Sequence, residues 1–355
     1  MQMIKDSFVR FKRMPAFTGC VLFLFALLLT IILQGPGNFF TVRNINNLFV
    51  TGMAFMLICI GQSVLLISGT LDLSIGIQVA LVNVVTIMTV HEWGIPVMLG
   101  CLLGILAAIV ASFICWLFVS VFRLPDLLAS FALIFAIRGI NQLIMPVPLA
   151  GVVNMSYHQI YDMRIFGFFP FSALFLVFII LLWAYLRRTK FGTNIYAVGA
   201  NPQNAFAAGI NPKKVQLQAF MFKGFVVGLA GMCMTFLTLS GNPNAGEEWG
   251  LRTIAAGIVG GLTFGGWGGL ASGIFGGGFF IFIQHSVPFF FRWLFSIFPV
   301  LQGVAVVTFW HNLFADTIIF FGLLMTLVTM KGQREALKAS IQSKYSYVRR
   351  DKNAK

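Results

Sequence analysis

The sequence predicts an all-α, polytopic integral membrane protein of about ten transmembrane helices, some short or broken, with both termini cytoplasmic. Three observations carry this. Only 10% of the 355 residues are charged and 59% are hydrophobic, whereas a soluble domain is near a quarter charged. Apolar runs of roughly 20 residues, the length that crosses a bilayer core, recur along the chain. The net charge of +14 is concentrated in blocks: four Lys/Arg in residues 1–13, five in 187–214 and eight in 331–355, together 17 of 24. Basic blocks beside apolar spans follow the positive-inside rule and face anionic lipid. That placement removes nucleic acid as the reason for the charge.

In chain order the candidate spans are residues 17–33, 48–68, 74–90, 96–120, 126–145, 169–187, 215–240, 250–267, 269–287, 293–310 and 312–330. Both basic ends belong on one side, so the number of crossings is even. One of the eleven therefore fails to cross fully, and ten spans are expected. Residues 17–33 form the first span rather than a cleaved leader, because the apolar run is long and no A-x-A site follows. The chain divides into a cytoplasmic N-terminus (1–16), a transmembrane domain (17–330) and a basic cytoplasmic tail (331–355). Turns near 34–46, 91–95 and 146–168 are poor in Lys/Arg and fall outside. Residues 121–126 with Arg123, and the loop 188–214 after six spans, fall inside. The five Cys lie in apolar runs, with spacing that fits neither a metal site nor a disulfide framework.

The polar loop "GANPQNAFAAGINPKK" at 199–214 carries its own punctuation. Asn201-Pro202 is a helix start, with Asn as the cap and Pro at the first helical position. Gly209 is a left-handed stop, and Asn211-Pro212 starts the next helix. A helix of about seven residues, roughly 10 Å long, is expected between them. It either rests on the membrane interface or docks into another protein. Ala205, Ala207 and Ala208 would let a partner approach closely.

Other residues carry two readings each. Asp72 lies between apolar runs, where an ionisable group is a functional candidate. Alternatively it caps the helix that begins near Leu73. Residues 257–278 hold eleven Gly. They pack two helices tightly, or "FGGWGG" (264–269), with Gly265, Gly266 and Gly268, breaks a helix and lets one bundle rock on another. Arg138 snorkels to the outer interface, or joins Asn141 in offering donors to a hydroxyl-rich ligand or a binding protein. Lys223, nine residues past Lys214 and roughly 13 Å up the helix, snorkels, forms a buried ion pair, or marks an acidic substrate. Glu247 and Glu248 form a solvated outer turn or contact a binding protein. No G-x-x-x-x-G-K-[ST] is present, and no nucleophile or metal constellation, so no enzyme is expected.

The segment "FGTNIYAVGANPQNAFAAGINPKKVQLQAF" (191–220) resembles the signature loop of permease subunits of bacterial ABC sugar importers of the ribose/xylose/arabinose/galactose type. Matching positions include Phe191, Gly192, Gly199, Asn201, Ala207, Gly209 and Ile210. "SGTLDLSIG" (68–76), "SFALIFAIRGI" (130–140), "GFVVGLAG" (224–231) and "LRTIAAGIVGGLTFGGWGG" (251–269) are similar to further segments of that family. The similarity covers roughly residues 40–285 and weakens after that. It implies an inner-membrane permease that forms the path for a small sugar-like solute. The loop residues, Pro202 and Ala205 among them, would couple to a separate ATPase subunit, so ATP is bound by that partner and no cofactor by this chain. A periplasmic or lipid-anchored substrate-binding protein and a second permease subunit, identical or not, complete the implied assembly. The family also implies roles for Asp72 and Ser74, and it does not assign them direct substrate contact. Related permeases for nucleosides, autoinducers or amino acids are the alternative within the class. A stand-alone secondary transporter or channel is the alternative outside it, and it would need more intramembrane carboxylates.

Overall fold

A computed structural model describes residues 16–263, 265, 268–298 and 308–329. Helix formation follows the apolar runs, and it stops where Gly, Pro or cap residues intervene. The order is α1 (Ala16–Gln34), α2 (Pro36–Phe39), α3 (Val42–Ile67), α4 (Ile75–Trp93), α5 (Val97–Trp116), α6 (Asp126–Ile144), α7 (Met155–Tyr161), α8 (Ala173–Leu186), α9 (Lys190–Ala200), α10 (Pro202–Ala207), α11 (Pro212–Thr238), α12 (Trp249–Val259), α13 (Leu270–Ile297) and α14 (Thr308–Thr329). A π turn at Leu117–Val121 extends α5. Four two-residue strands staple loops: β1 (Leu149–Ala150) pairs antiparallel with β4 (Ser240–Gly241), and β2 (Arg164–Ile165) with β3 (Phe169–Pro170).

Among the described residues, seven helices are long and apolar enough to cross a membrane: α1, α3, α4, α5 with its π turn, α6, α11 and α13. Shorter apolar helices stand at α8, α12 and within α14. The chain is thus helical and polytopic, as expected, with three differences in the segments. The expected span 169–187 loses its first residues, because Phe169 and Pro170 are held in the β2–β3 pair. The expected span 250–267 ends at Val259, where the glycine-rich break begins. The expected segments 269–287 and 293–310 do not separate at 287–293. Helix α13 runs through Pro288 to Ile297, because a proline inside a membrane helix is tolerated when neighbours satisfy the freed backbone. The rest of 293–310 up to residue 307, apart from Phe298, lies outside the described residues, as do residues 1–15 and the tail.

Helices α3 and α11 are buried on nearly all sides, as all-round apolar helices at the centre of a bundle must be. Helix α11 packs on α3, α4 and α5, while α13 packs on α1 and α3. Small residues bring the backbones together. Gly224 and Gly228 of α11 lie against Ile109, Ser112 and Ile105 of α5, and Gly100 and Gly104 of α5 lie against Thr86 and Val82 of α4. A Cβ at any of these four would overlap its neighbour, which is the small-xxx-small logic of membrane packing. The outer helices α1, α5, α6 and α8 keep large apolar side chains exposed, among them Leu28, Leu106, Phe135 and Leu181. That is the surface lipid or another subunit covers.

Candidate functional site

The loop after α8 is more structured than its sequence suggested. Thr189 caps α9 by accepting from the Phe191 amide at 3.3 Å. Helix α9, which the sequence reading missed, occupies Lys190–Ala200. Its signal was the Thr189 cap before an amphipathic "FGTNIYAV". Asn201 then accepts from the Gln203 and Asn204 amides, both at 2.9 Å, with Pro202 at the first position. The stop is also as expected. Gly209 sits at φ +82°, its amide donates to Phe206 and that of Ile210 donates to Ala205, both at 2.9 Å. These are the two bonds of a Schellman cap. Asn211 caps α11, accepting from the Lys214 amide at 3.4 Å.

Which face of α10 is free differs from the expectation. Ala205 is buried against the chain's own helices, whereas Ala207 and Ala208 are exposed. Phe206 is 68% exposed, and it was not singled out from sequence. The roots of the loop reach inward. Gly192 lies on the Arg187 backbone. A Cβ on Gly69, in the break after α3, would come 3.6 Å from Gly199 Cα, and one on Gly265 would come 3.0 Å from the Gly199 carbonyl. Tyr196 sits under the Arg187 guanidinium, 5.9 Å from ring centroid to charge. Burial pushes the Tyr196 phenol up, and the nearby Arg187 opposes that.

The second element is residues 68–74, between α3 and α4, and it is held by charge. Asp72 and Lys223 are both fully buried and pair at 2.6 Å. The other carboxylate oxygen accepts from the Ser74 amide at 2.7 Å and its hydroxyl at 2.6 Å. Gln78 donates to Asp72 at 3.1 Å, accepts from Lys223 at 2.8 Å and accepts from Ser112 at 3.2 Å. Oriented by its hydrogen-bond pattern, the Gln62 amide pairs with the Asp72 backbone carbonyl and amide at 3.2 and 3.3 Å. Asp126, at the start of α6, accepts from the Leu71 amide at 3.1 Å. Breaks in membrane helices survive where side chains satisfy the freed backbone; here Gln62 of α3 and Asp126 of α6 bond the backbone, while Gln78 of α4 and Lys223 of α11 bond the Asp72 carboxylate.

This corrects two expectations. Asp72 does not cap α4, which begins at Ile75 after Ser74; its carboxylate closes a local turn onto Ser74. Of the readings of Lys223, the buried ion pair holds and snorkelling does not, since its ammonium is fully buried against Asp72. Gln62, Gln78 and Ser112 were missed. A Gln within an otherwise apolar helix was the available signal.

At the end of the bundle away from the loop, Arg138 donates to Glu247 at 2.8 Å and the Asn141 amide donates to the Pro243 carbonyl at 3.2 Å. Arg252 pairs with Glu248 at 2.9 Å and Asp316 at 3.0 Å. Arg138 and Asn141 therefore clamp the 241–250 turn rather than standing free for a ligand, and the two glutamates are already engaged. Gly265 and Gly268 lie in the break between α12 and α13, at φ +93° and +121°; Gly266 lies outside the described residues. The tight-packing reading also holds, for Gly273 and Gly277 against Cys59 and its neighbours in α3. The singled-out residues therefore fall into three places: the loop with Gly265, the buried network, and the far-end clamp.

A family model described as "Branched-chain amino acid transport system / permease component" matches residues 44–328. The chain belongs to this permease family. The match runs past residue 285, where the resemblance seen in sequence weakened. The permease is 28% identical to the ribose import permease protein RbsC of Bacillus subtilis over 250 residues, 70% of this chain and 77% of that one. It is 26% identical to the L-arabinose ABC transporter permease protein AraH of Azospirillum brasilense, over 90% of each chain. It is also 28% identical to the autoinducer 2 import system permease protein LsrC of Salmonella choleraesuis, over 70% of this chain and 72% of that one. No solved structure matches. The permease is a multi-pass protein of the membrane, with apolar helices and family agreeing.

Proposed function

We propose that this permease is the transmembrane subunit of an ABC importer for a small sugar-like solute, in the bacterial inner membrane. Ten helices cross, both termini are cytoplasmic, and the path forms with a second permease subunit, identical or not. A separate ATPase subunit binds and hydrolyses ATP, and docks on α10. A periplasmic or lipid-anchored binding protein delivers the solute to the opposite end. One observation carries the coupling role: α10 is capped at both ends, presents Phe206 and Ala207 outward, and is rooted at Gly199 against the two non-helical breaks. A push on such a rigid knob reaches both breaks, and binding energy spent on one state of the ATPase biases the permease between its states.

The solute class rests on the ribose and arabinose permeases among the relatives. The alternative keeps the architecture and changes the solute, since the family's description names branched-chain amino acids and one relative is an autoinducer 2 permease. The deciding experiment is uptake by membranes holding the permease, its ATPase and its binding protein. Competition among D-ribose, L-arabinose, L-leucine and autoinducer 2 should favour a pentose. Uptake blocked only by leucine overturns the sugar assignment.

A further inference from the structure

The end of the bundle opposite α10 holds a cavity of about 500 Å³ between the start of α3, the end of α1 and the α7–β2 segment. Helix α3, roughly 39 Å long, places it: its first turn lines the cavity, and its other end leads into the break where Gly69 lies beside Gly199. Val50 and Leu237 are the apolar members of a wall otherwise built from amide, hydroxyl, guanidinium, imidazole and carboxylate groups. A pocket of this volume suits one small ligand, and a wall this polar repels an apolar one, which leaves buried polar groups unpaired.

Much of the wall is fixed. Gln34 and Asn44 exchange side-chain bonds at 3.0 and 3.4 Å. Asn46, 2% exposed, donates to the Asp162 carboxylate at 2.6 Å and its backbone carbonyl at 2.9 Å. What remains is an unused set of donors and acceptors. Asn46 Oδ1 is buried with no partner among the described residues, and a buried acceptor without a donor is an expense that asks for an explanation. Neither Arg43 nor Arg164 forms an ion pair among the described residues, although both line the same cavity as Asp162. His158 is anchored through Nδ1 to the Phe236 carbonyl at 3.0 Å, which leaves its other nitrogen unused.

We infer that this cavity binds a small hydroxyl-rich solute. A vicinal diol donates to the Asp162 carboxylate, which Asn46 holds in place. It accepts from Arg43 and Arg164. The site lies away from the buried Asp72 network and from α10, so it is a separate binding site at the solute-facing end. The choice of sugar as probe rests on the importer reading.

The full-length permease in lipid nanodiscs, without ATPase or binding protein, tests this. Saturation-transfer NMR with millimolar D-ribose should show binding, and Asp162→Asn and Arg164→Gln should each weaken it at least fivefold. Both positions are exposed, and an asparagine at 162 keeps an oxygen that can accept from Asn46; Asn46→Leu, if it folds, should do the same. Absence of ribose signal with the wild-type chain, or equal signal in Asp162→Asn and Arg164→Gln, overturns the site. So does a result in which Arg164→Gln leaves ribose binding intact and instead weakens capture of the binding protein, which would make the arginines a protein-docking patch. Uptake by the complete importer is scored separately. Pentose uptake without ribose binding by the isolated chain sinks this site and spares the importer reading. Binding without uptake does the reverse.

Discussion

A buried lysine ammonium is tolerable only where its charge is paired and hydrogen-bonded. Lys223 donates to Asp72 and Gln78, and the Phe220 ring lies 5.9 Å from its charge. Removing one partner strands the other. Lys223→Met is therefore expected to destabilise by about 3–5 kcal/mol, as is Asp72→Leu, whereas the double change is expected to recover much of the loss. Thermal melts of the three variants in one detergent check this. A double variant as unstable as the sum of the singles would mean the pair is not coupled. The sequence exposed both charges but not their pairing, because 151 positions separate them. Only the packing of α11 beside the α3–α4 break makes them neighbours. Gly209 was legible for the opposite reason: its job is local. Gly209→Val faces a left-handed φ that β-branched residues resist. It is expected to cost about 1 kcal/mol or more and to lower uptake at matched membrane abundance.

At the scale of elements, start and stop signals were readable wherever side chains cap their own backbone, as at Asn201, Gly209 and Asn211. They failed where a distant partner decides, as where β3 shortens α8, or where a proline is tolerated, as at Pro288. The loop is expected to transmit motion through α10 and its root. Ala207→Arg should abolish co-purification of the ATPase and solute uptake while leaving the membrane fold intact; wild-type levels of both would reduce α10 to a linker. Gly265→Val tests the root. It meets φ +93° and a carbonyl 3.0 Å from its Cβ. Here the ATPase should still bind, but uptake should fall at least tenfold. Loss of ATPase binding by Gly265→Val would place the defect in folding or docking instead of transmission.

For the whole molecule, the family was legible in the 191–220 loop and its companion motifs, and the class in the three basic blocks and the apolar runs. They did not show which helices are central, because α1 is the more apolar of the two yet faces outward while α3 is enclosed. The expected topology puts α10 and the cavity on opposite sides of the membrane. In a chain stripped of its five native cysteines, Asn204→Cys should resist an impermeant thiol reagent in intact cells, and Asn154→Cys should react. Both positions are exposed, so accessibility is not the limit, and labelling of residue 204 from outside would invert the arrangement.

The Asp72–Lys223 pair also constrains biogenesis. Lys223 follows Asp72 by 151 positions, and a charged residue at the centre of an inserting helix costs about 2.5–3.5 kcal/mol. Until α11 is made, the α3–α4 segment carrying Asp72 is therefore expected to insert poorly. A nascent chain cut before residue 212 should be recognised as unfinished and degraded quickly, and replacing Asp72 with Leu in that fragment should lengthen its life.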